Sequence, residues 1–202
     1  DLVSGNVNEV HYQTGERDEF NYKYEYDADN RLHASYSSRD GKTYEKEGKQ
    51  FYYATGGMKR QEIGDKTVQG EDFVYTINGW MKGMNRNTIG NYGDYMSRDV
   101  GQDAETTSSN LNKNFGADAA GFTLDYFLGD YAAVNSTTAF EATKASKAYG
   151  NALLQQYNGN IAGMVTSMLD NGQVFTETQG RAFTYDQLYR IKQSLAFHMD
   201  AT

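Results

Sequence analysis

Between Phe20 and Asp27 the aromatic residues Phe20, Tyr22, Tyr24 and Tyr26 alternate with Asn21, Lys23, Glu25 and Asp27. A helix would scatter these rings around its circumference. Period two instead describes a strand with one face covered and the other wet. Asp27-Ala28-Asp29-Asn30 follows, and short Asx side chains bond nearby backbone and tolerate left-handed conformations, so the chain turns there. Leu32, Ala34 and Tyr36 then alternate with His33 and Ser35, which predicts a returning strand. The stretch is a β-hairpin with a polar corner.

The hairpin has echoes. Tyr26-Asp27-Ala28-Asp29-Asn30-Arg31-Leu32 aligns without gaps on Tyr75-Thr76-Ile77-Asn78-Gly79-Trp80-Met81 and again on Tyr185-Asp186-Gln187-Leu188-Tyr189-Arg190-Ile191. Each copy runs from a tyrosine through turn residues to Arg or Trp and then an apolar residue. A second echo precedes the outer copies, Gly5-Asn6-Val7 before the first and Gly159-Asn160-Ile161 before the third. Linked signatures in the same order point to a degenerate internal repeat.

Residues 1–86 read as continuous antiparallel β-hairpins. A strand over 7–12 turns at 13–18, and Ser37-Ser38-Arg39-Asp40-Gly41 makes the next turn. A short strand at Tyr44 and another over 50–54 lead to the Gly56-Gly57 break, a strand over 58–63 and a turn at 64–66. Phe73, Tyr75 and Ile77 are expected on one apolar face, with Val74 and Thr76 opposite. Residues 87–156 read as a loop-rich insertion between repeat units, with a strand or hairpin near 121–132. A short helix is expected over Ala139–Gln156, where alanines are spaced among Lys, Glu and Gln. From 157 to 202 the hairpin pattern resumes. The expectation is a mainly β chain of antiparallel hairpin repeats in an extended or spiralling sheet, one continuous unit of a larger protein. The opening at Asp1 and the end at Thr202 both read as cuts.

The residues that repeat also carry a resemblance. The chain resembles the YD-repeat (Rhs) proteins of Bacteroidetes-type bacteria, relatives of the shells of bacterial ABC toxin complexes and of the teneurin barrel. The resembling segments are 24–32, 73–85 (Phe-Val-Tyr-Thr-Ile-Asn-Gly-Trp-Met-Lys-Gly-Met-Asn), 120–127, 129–131, 157–161 and 183–191. They span nearly the whole chain. That family usually carries prolines, and this chain has none. The resemblance implies a non-catalytic wall segment that encapsulates or displays a polymorphic toxin domain, secreted or at a bacterial cell surface. Its implied partners are the remaining repeats of the parent and the enclosed C-terminal toxin. The family's self-cleaving aspartates lie in a segment with no counterpart here, so no enzymatic activity is expected.

Composition narrows the alternatives. The formal net charge is −8 with no run of Lys or Arg, and an acidic surface repels phosphate backbones, so nucleic acid is not an expected partner. No stretch approaches the ~20 apolar residues of a membrane-spanning helix. Cysteine is absent, which removes disulfides and thiolate chemistry.

Candidate chemistry is sparse. His11, His33 and His198 sit in separate segments with no carboxylate at metal-motif spacing. Asp27-Ala28-Asp29-Asn30 begins like a calcium loop but lacks its glycine and terminal glutamate. Glu16, Asp18 and Glu19 would bring carboxylates together, as a glycosidase requires, yet turns of an acidic protein collect such residues anyway. Tyr52, Tyr53, Trp80 and Tyr157 offer ring faces to a sugar, which makes a carbohydrate-binding or adhesion module the alternative reading. No catalytic, cofactor or metal residue is assigned. Arg31 and its counterparts are expected to pair with a carboxylate of the next hairpin, each repeat tying itself to its neighbour.

Overall fold

The computed structural model describes residues 3–85, 103, 112–132, 154–170 and 174–198. It is all β, as expected. The strands are β1 (Glu9–Tyr12), β2 (Phe20–Tyr26), β3 (Leu32–Ser38), β4 (Glu45–Tyr52), β5 (Met58–Ile63), β6 (Gln69–Tyr75), β7 (Met81–Met84), β8 (Ala120–Asp125), β9 (Gly163–Asp170), β10 (Val174–Tyr185) and β11 (Ile191–His198). They form one open antiparallel sheet whose strand order is the order of the chain. Among the described residues there is no helix. The helix expected over 139–156 falls, but for its last three residues, outside the described residues. Two compact units divide within β6, the first comprising 1–71 with 103–116 and the second 72–102 with 117–202.

In the first unit the alternation of β2 gives a strand, but its burial differs from the expectation. Phe20 and Tyr22 lie 5.0 Å apart, centroid to centroid, and Tyr22 and Tyr24 6.3 Å. These rings cover one another only partly, and Tyr22 stays 39 % exposed. The buried position of β2 is Asn21, whose Oδ1 accepts from His11 Nδ1 (2.6 Å) and whose Nδ2 donates to Glu19 (3.0 Å). The ring positions of β2 are intermediate or exposed, so that face is half-wet. The two short strands expected near Tyr44 and 50–54 are one strand, β4, running unbroken through Gly48.

In the second unit the face assignment of β6 is reversed. Val74 and Thr76 are buried and Ile77 is 98 % exposed, because Ile77 has already left the strand for the corner. Val74 faces Gly83, Gly83 faces Thr123, and Thr123 faces Val165. This row of small residues is buried throughout, and cross-strand neighbours of this kind are the unit of sheet cohesion. The strand expected near 121–132 is β8, which pairs with β7 and β9.

Candidate functional site

The recurrent chemistry of this chain sits at its corners. After Tyr26, Asn30 N–H donates to Asp27 C=O (3.0 Å) and Asp27 N–H to Arg31 C=O (2.9 Å), with Asn30 left-handed at φ +65°. This is a three-residue hairpin loop closed by a bulge. Asp27 Oδ1 accepts the N–H groups of Asp29 (3.0 Å) and Arg31 (2.9 Å), while Oδ2 takes Arg31 Nε (2.8 Å) and Nη2 (2.7 Å). The Arg31 side chain, and then the backbone donors, hold the Asp27 carboxyl below the usual carboxylate range. Asp186 repeats the arrangement with Leu188, Arg190 and a left-handed Tyr189 at φ +60°. At the β6–β7 corner Thr76 stands in for Asp, its hydroxyl accepting Trp80 N–H at 3.2 Å.

A fourth corner escaped the alignment. In Tyr52-Tyr53-Ala54-Thr55-Gly56-Gly57-Met58, Tyr53 N–H donates to Gly57 C=O (2.8 Å) and Gly56 N–H to Tyr53 C=O (2.9 Å), with Gly56 at φ +99°. Neither Asp nor Arg survives there. What persists is a tyrosine at the bulge, a left-handed residue four positions on, and an apolar residue six positions on. Tyr26 pairs with Leu32, Tyr52 with Met58, Tyr75 with Met81 and Tyr185 with Ile191. Spacing alone, without the Asp and Arg, would have found it.

The corners are also stitched in series. Tyr52 Oη donates to the carbonyl of Leu32 (2.7 Å), and the Arg31 guanidinium lies 4.5 Å over the Tyr52 ring. In the second unit Tyr126 Oη donates to Met81 C=O (2.8 Å), and Trp80 packs on Tyr126 at 5.0 Å. Trp80 thus fills the position of Arg31, replacing cation–π by ring packing. Tyr26 reaches Val7 C=O and Tyr185 reaches Ile161 C=O, both at 2.8 Å. This explains the second echo. Gly5 (φ +76°) and Gly159 (φ +88°) are left-handed residues of corners, and Val7 and Ile161 supply the carbonyls that the next tyrosine seeks. The expected ladder therefore changes in one respect. Arg31 pairs with carboxylates of its own hairpin, Asp27 and Asp29, and offers the next hairpin its flat face, because the corner backbone already holds Asp27 within reach of its fork.

Two predictions arise here. Tyr52→Phe strands the Leu32 carbonyl and is expected to lower stability by about 1 kcal/mol in urea unfolding; Tyr22→Phe, at a more exposed ring, serves as the control. Tyr189→Gly relieves a bulky residue held left-handed and is expected to raise stability by up to about 1 kcal/mol.

The other candidates lie apart. His11 bonds Asn21 and Glu9, and the Asn21 bond raises its pKa. His33 bonds the Gln50 carbonyl and meets Phe51 edge-on. Among the described residues no three His, Asp or Glu side chains gather as metal ligands, and the Asp27 oxygens that a calcium ion would need are taken by N–H donors. Glu19 is bound to Gly15 N–H and Asn21, while Glu16 and Asp18 are exposed. Of the sugar-stacking candidates, Tyr52 and Trp80 are spent on the stitches, and Lys59 sits 5.9 Å over Tyr53. Tyr157 remains 69 % exposed and stacks on Phe127 at 4.7 Å.

Asp40 anchors the turn between β3 and β4. It accepts the N–H groups of Thr43 (2.8 Å) and Lys42 (2.9 Å) and the Ser38 hydroxyl (2.9 Å), which push its pKa down to about 2. A depressed carboxylate stabilises the fold above its unfolded pKa, and that contribution vanishes as pH falls through the folded value. Stability is therefore expected to decline between about pH 4 and about pH 2. Asp40→Asn, followed by acid titration of the unfolding midpoint, is expected to flatten that limb.

Two buried ionic groups escaped the sequence reading. In the first unit Arg60 Nη2 meets Asp103 Oδ1 at 2.8 Å, Gly70 N–H donates to Asp103 Oδ2 (3.1 Å), and Phe115 lies 4.7 Å from the guanidinium. In the second unit Lys82 Nζ lies 2.8 Å from Asp125 Oδ1 and 2.8 and 3.0 Å from the two oxygens of Asp130, all three side chains fully buried. Asp130 Oδ2 also accepts Tyr126 N–H at 2.9 Å. Burial pushes the Asp125 carboxyl up, against the pull of Lys82. The signal for the second cluster was Lys82 in a strand of otherwise uncharged residues, and Asp125 ending an apolar one.

Compared with protein-family models and with curated proteins, the chain matches none.

Proposed function

We propose that this chain is a non-catalytic wall segment of a YD-repeat (Rhs) shell, secreted or at a bacterial surface, which encloses or displays a toxin domain. The observation that carries the reading is the serial stitch. Tyr26, Tyr52, Tyr126 and Tyr185 each reach back to a carbonyl of the preceding corner, and Arg31 lies on the Tyr52 ring as Trp80 lies on Tyr126. Such a device lengthens a sheet hairpin by hairpin and asks nothing of a pocket. Arg190 is 73 % exposed where Arg31 is 29 % exposed, and β11 ends the strand order. Its corner offers the face on which a further repeat would seat its tyrosine.

The test is protease protection in the complete parent protein. Its C-terminal domain is expected to resist digestion while the wall is folded, and to be cut when Arg31→Ala and Tyr52→Ala are combined. Equal digestion rates in the unaltered parent and in the isolated domain would refute enclosure. The adhesion alternative rests on the exposed Tyr157, stacked on a half-buried Phe127. Saturable binding on a glycan array, lost in Tyr157→Ala, would favour it over the wall.

A further inference from the structure

We propose that Lys82 and Asp125 condense into an intramolecular amide, with Asp130 as the proton-transfer group, so that β7 and the end of β8 become covalently joined. The three side chains are fully buried, with Lys82 in contact with both carboxylates, which holds amine and carboxyl together at a very high effective concentration. Asp130 is the more fully hydrogen-bonded carboxylate, since it accepts both Lys82 and the Tyr126 N–H. Asp125 is the poorer one. Among the described residues its Oδ2 is buried without a hydrogen-bond partner, and burial favours its protonated form. A neutral carboxylic acid is electrophilic where a carboxylate is not.

The step balances within the triad. The Lys82 ammonium gives a proton to the Asp130 carboxylate, and the freed Nζ attacks Cγ of protonated Asp125. Asp130 returns that proton to a hydroxyl on Cγ, the C–O bond breaks, and water leaves as the C–N bond is completed. The second amine proton passes to Asp130 and replaces the Asp125 acid proton lost with the water. One C–N bond forms, one C–O bond breaks, and nothing is oxidised or reduced. The link closes a loop between residues 43 apart in sequence and ties β7 covalently to the end of β8.

Intact mass spectrometry of the purified chain tests this directly. The expected mass is one water below that of the sequence, with the full sequence mass restored in Lys82→Arg. Asp130→Asn retains both joined residues and is also expected to show the full mass, which separates proton transfer from mere proximity. Trypsin cleavage after the exposed Lys113 should leave fragments that stay together on a denaturing gel; with no cysteine in the chain, a disulfide cannot do this. An unaltered protein that is folded by circular dichroism and yet shows the full sequence mass overturns the proposal.

Discussion

Compared with Lys82→Arg, which keeps the charge but cannot form the amide, Lys82→Met is expected to cost about 3–5 kcal/mol of stability, because it removes the cation that, among the described residues, pairs with both buried carboxylates and leaves charge uncompensated there. Lys82 is fully buried between Asp125 and Asp130. The loss should depend on pH in a stated direction. Burial already pushes the Asp125 carboxyl up and Lys82 pulls it down, so without Lys82 it rises further, and protonation then favours the folded state. The penalty is therefore expected to be full at neutral pH and to shrink as pH falls toward about 4. Adding Asp125→Leu should recover part of the loss, since it removes one of the two carboxyls left without their cation, while Asp130 keeps its bond from the Tyr126 N–H. Urea midpoints across that pH range are the measurement. A penalty independent of pH, or one that Asp125→Leu deepens, would refute the electrostatic account. The same variant cannot form the Lys82–Asp125 amide, so it also provides an unlinked reference.

How far the sequence could be read follows from the range of the forces involved. The corners are local. Asp27 and Arg31 find each other four residues apart, turn chemistry fixes the bulge, and period-two alternation fixes the strands, so the all-β sheet and three of its corners are legible from short windows. The fourth corner, at Tyr52, kept the spacing but lost the charged pair, and a motif search keyed to Asp and Arg passes over it. Faces were less legible. In a two-layered protein the aromatic side of β2 would be the covered one, but with one sheet and half-exposed rings the burial difference between faces is small, and a buried Asn21 can outrank Tyr22. The ionic clusters were the least legible. Lys82 stands among uncharged residues, which marks it locally, but Lys82 and Asp125 are 43 residues apart, and nothing local says which carboxylate it will meet. The expected Arg-to-neighbour bond failed for a related reason, because the sequence shows that Arg31 recurs but not whether its fork or its face turns to the next hairpin.

Gly70→Ala is expected to be as damaging as Lys82→Met, through sterics acting on charge. A Cβ at Gly70 would lie 1.9 Å from Arg60 Nη2, 2.3 Å from its Cζ and 2.5 Å from Asp103 Oδ2. Ordinary overpacking costs about 1–3 kcal/mol, because side chains shift aside. Here they have nowhere to go. Arg60 is gripped by Asp103 at 2.8 Å and by Glu62 at 3.3 Å, with Phe115 against its face, and Asp103 is itself bonded to the Gly70 N–H. The added methyl must therefore part a buried pair, and burial already raises the Asp103 carboxyl despite Arg60. The expected loss is about 3–5 kcal/mol. Its origin can be separated from a simple clash by coupling. In an Arg60→Met, Asp103→Asn background the pair is already gone, and Gly70→Ala should add no more than about 1 kcal/mol, far below its effect alone. Equal costs of Gly70→Ala in both backgrounds, from urea midpoints at one pH, would place the damage in the strand backbone instead of the ion pair.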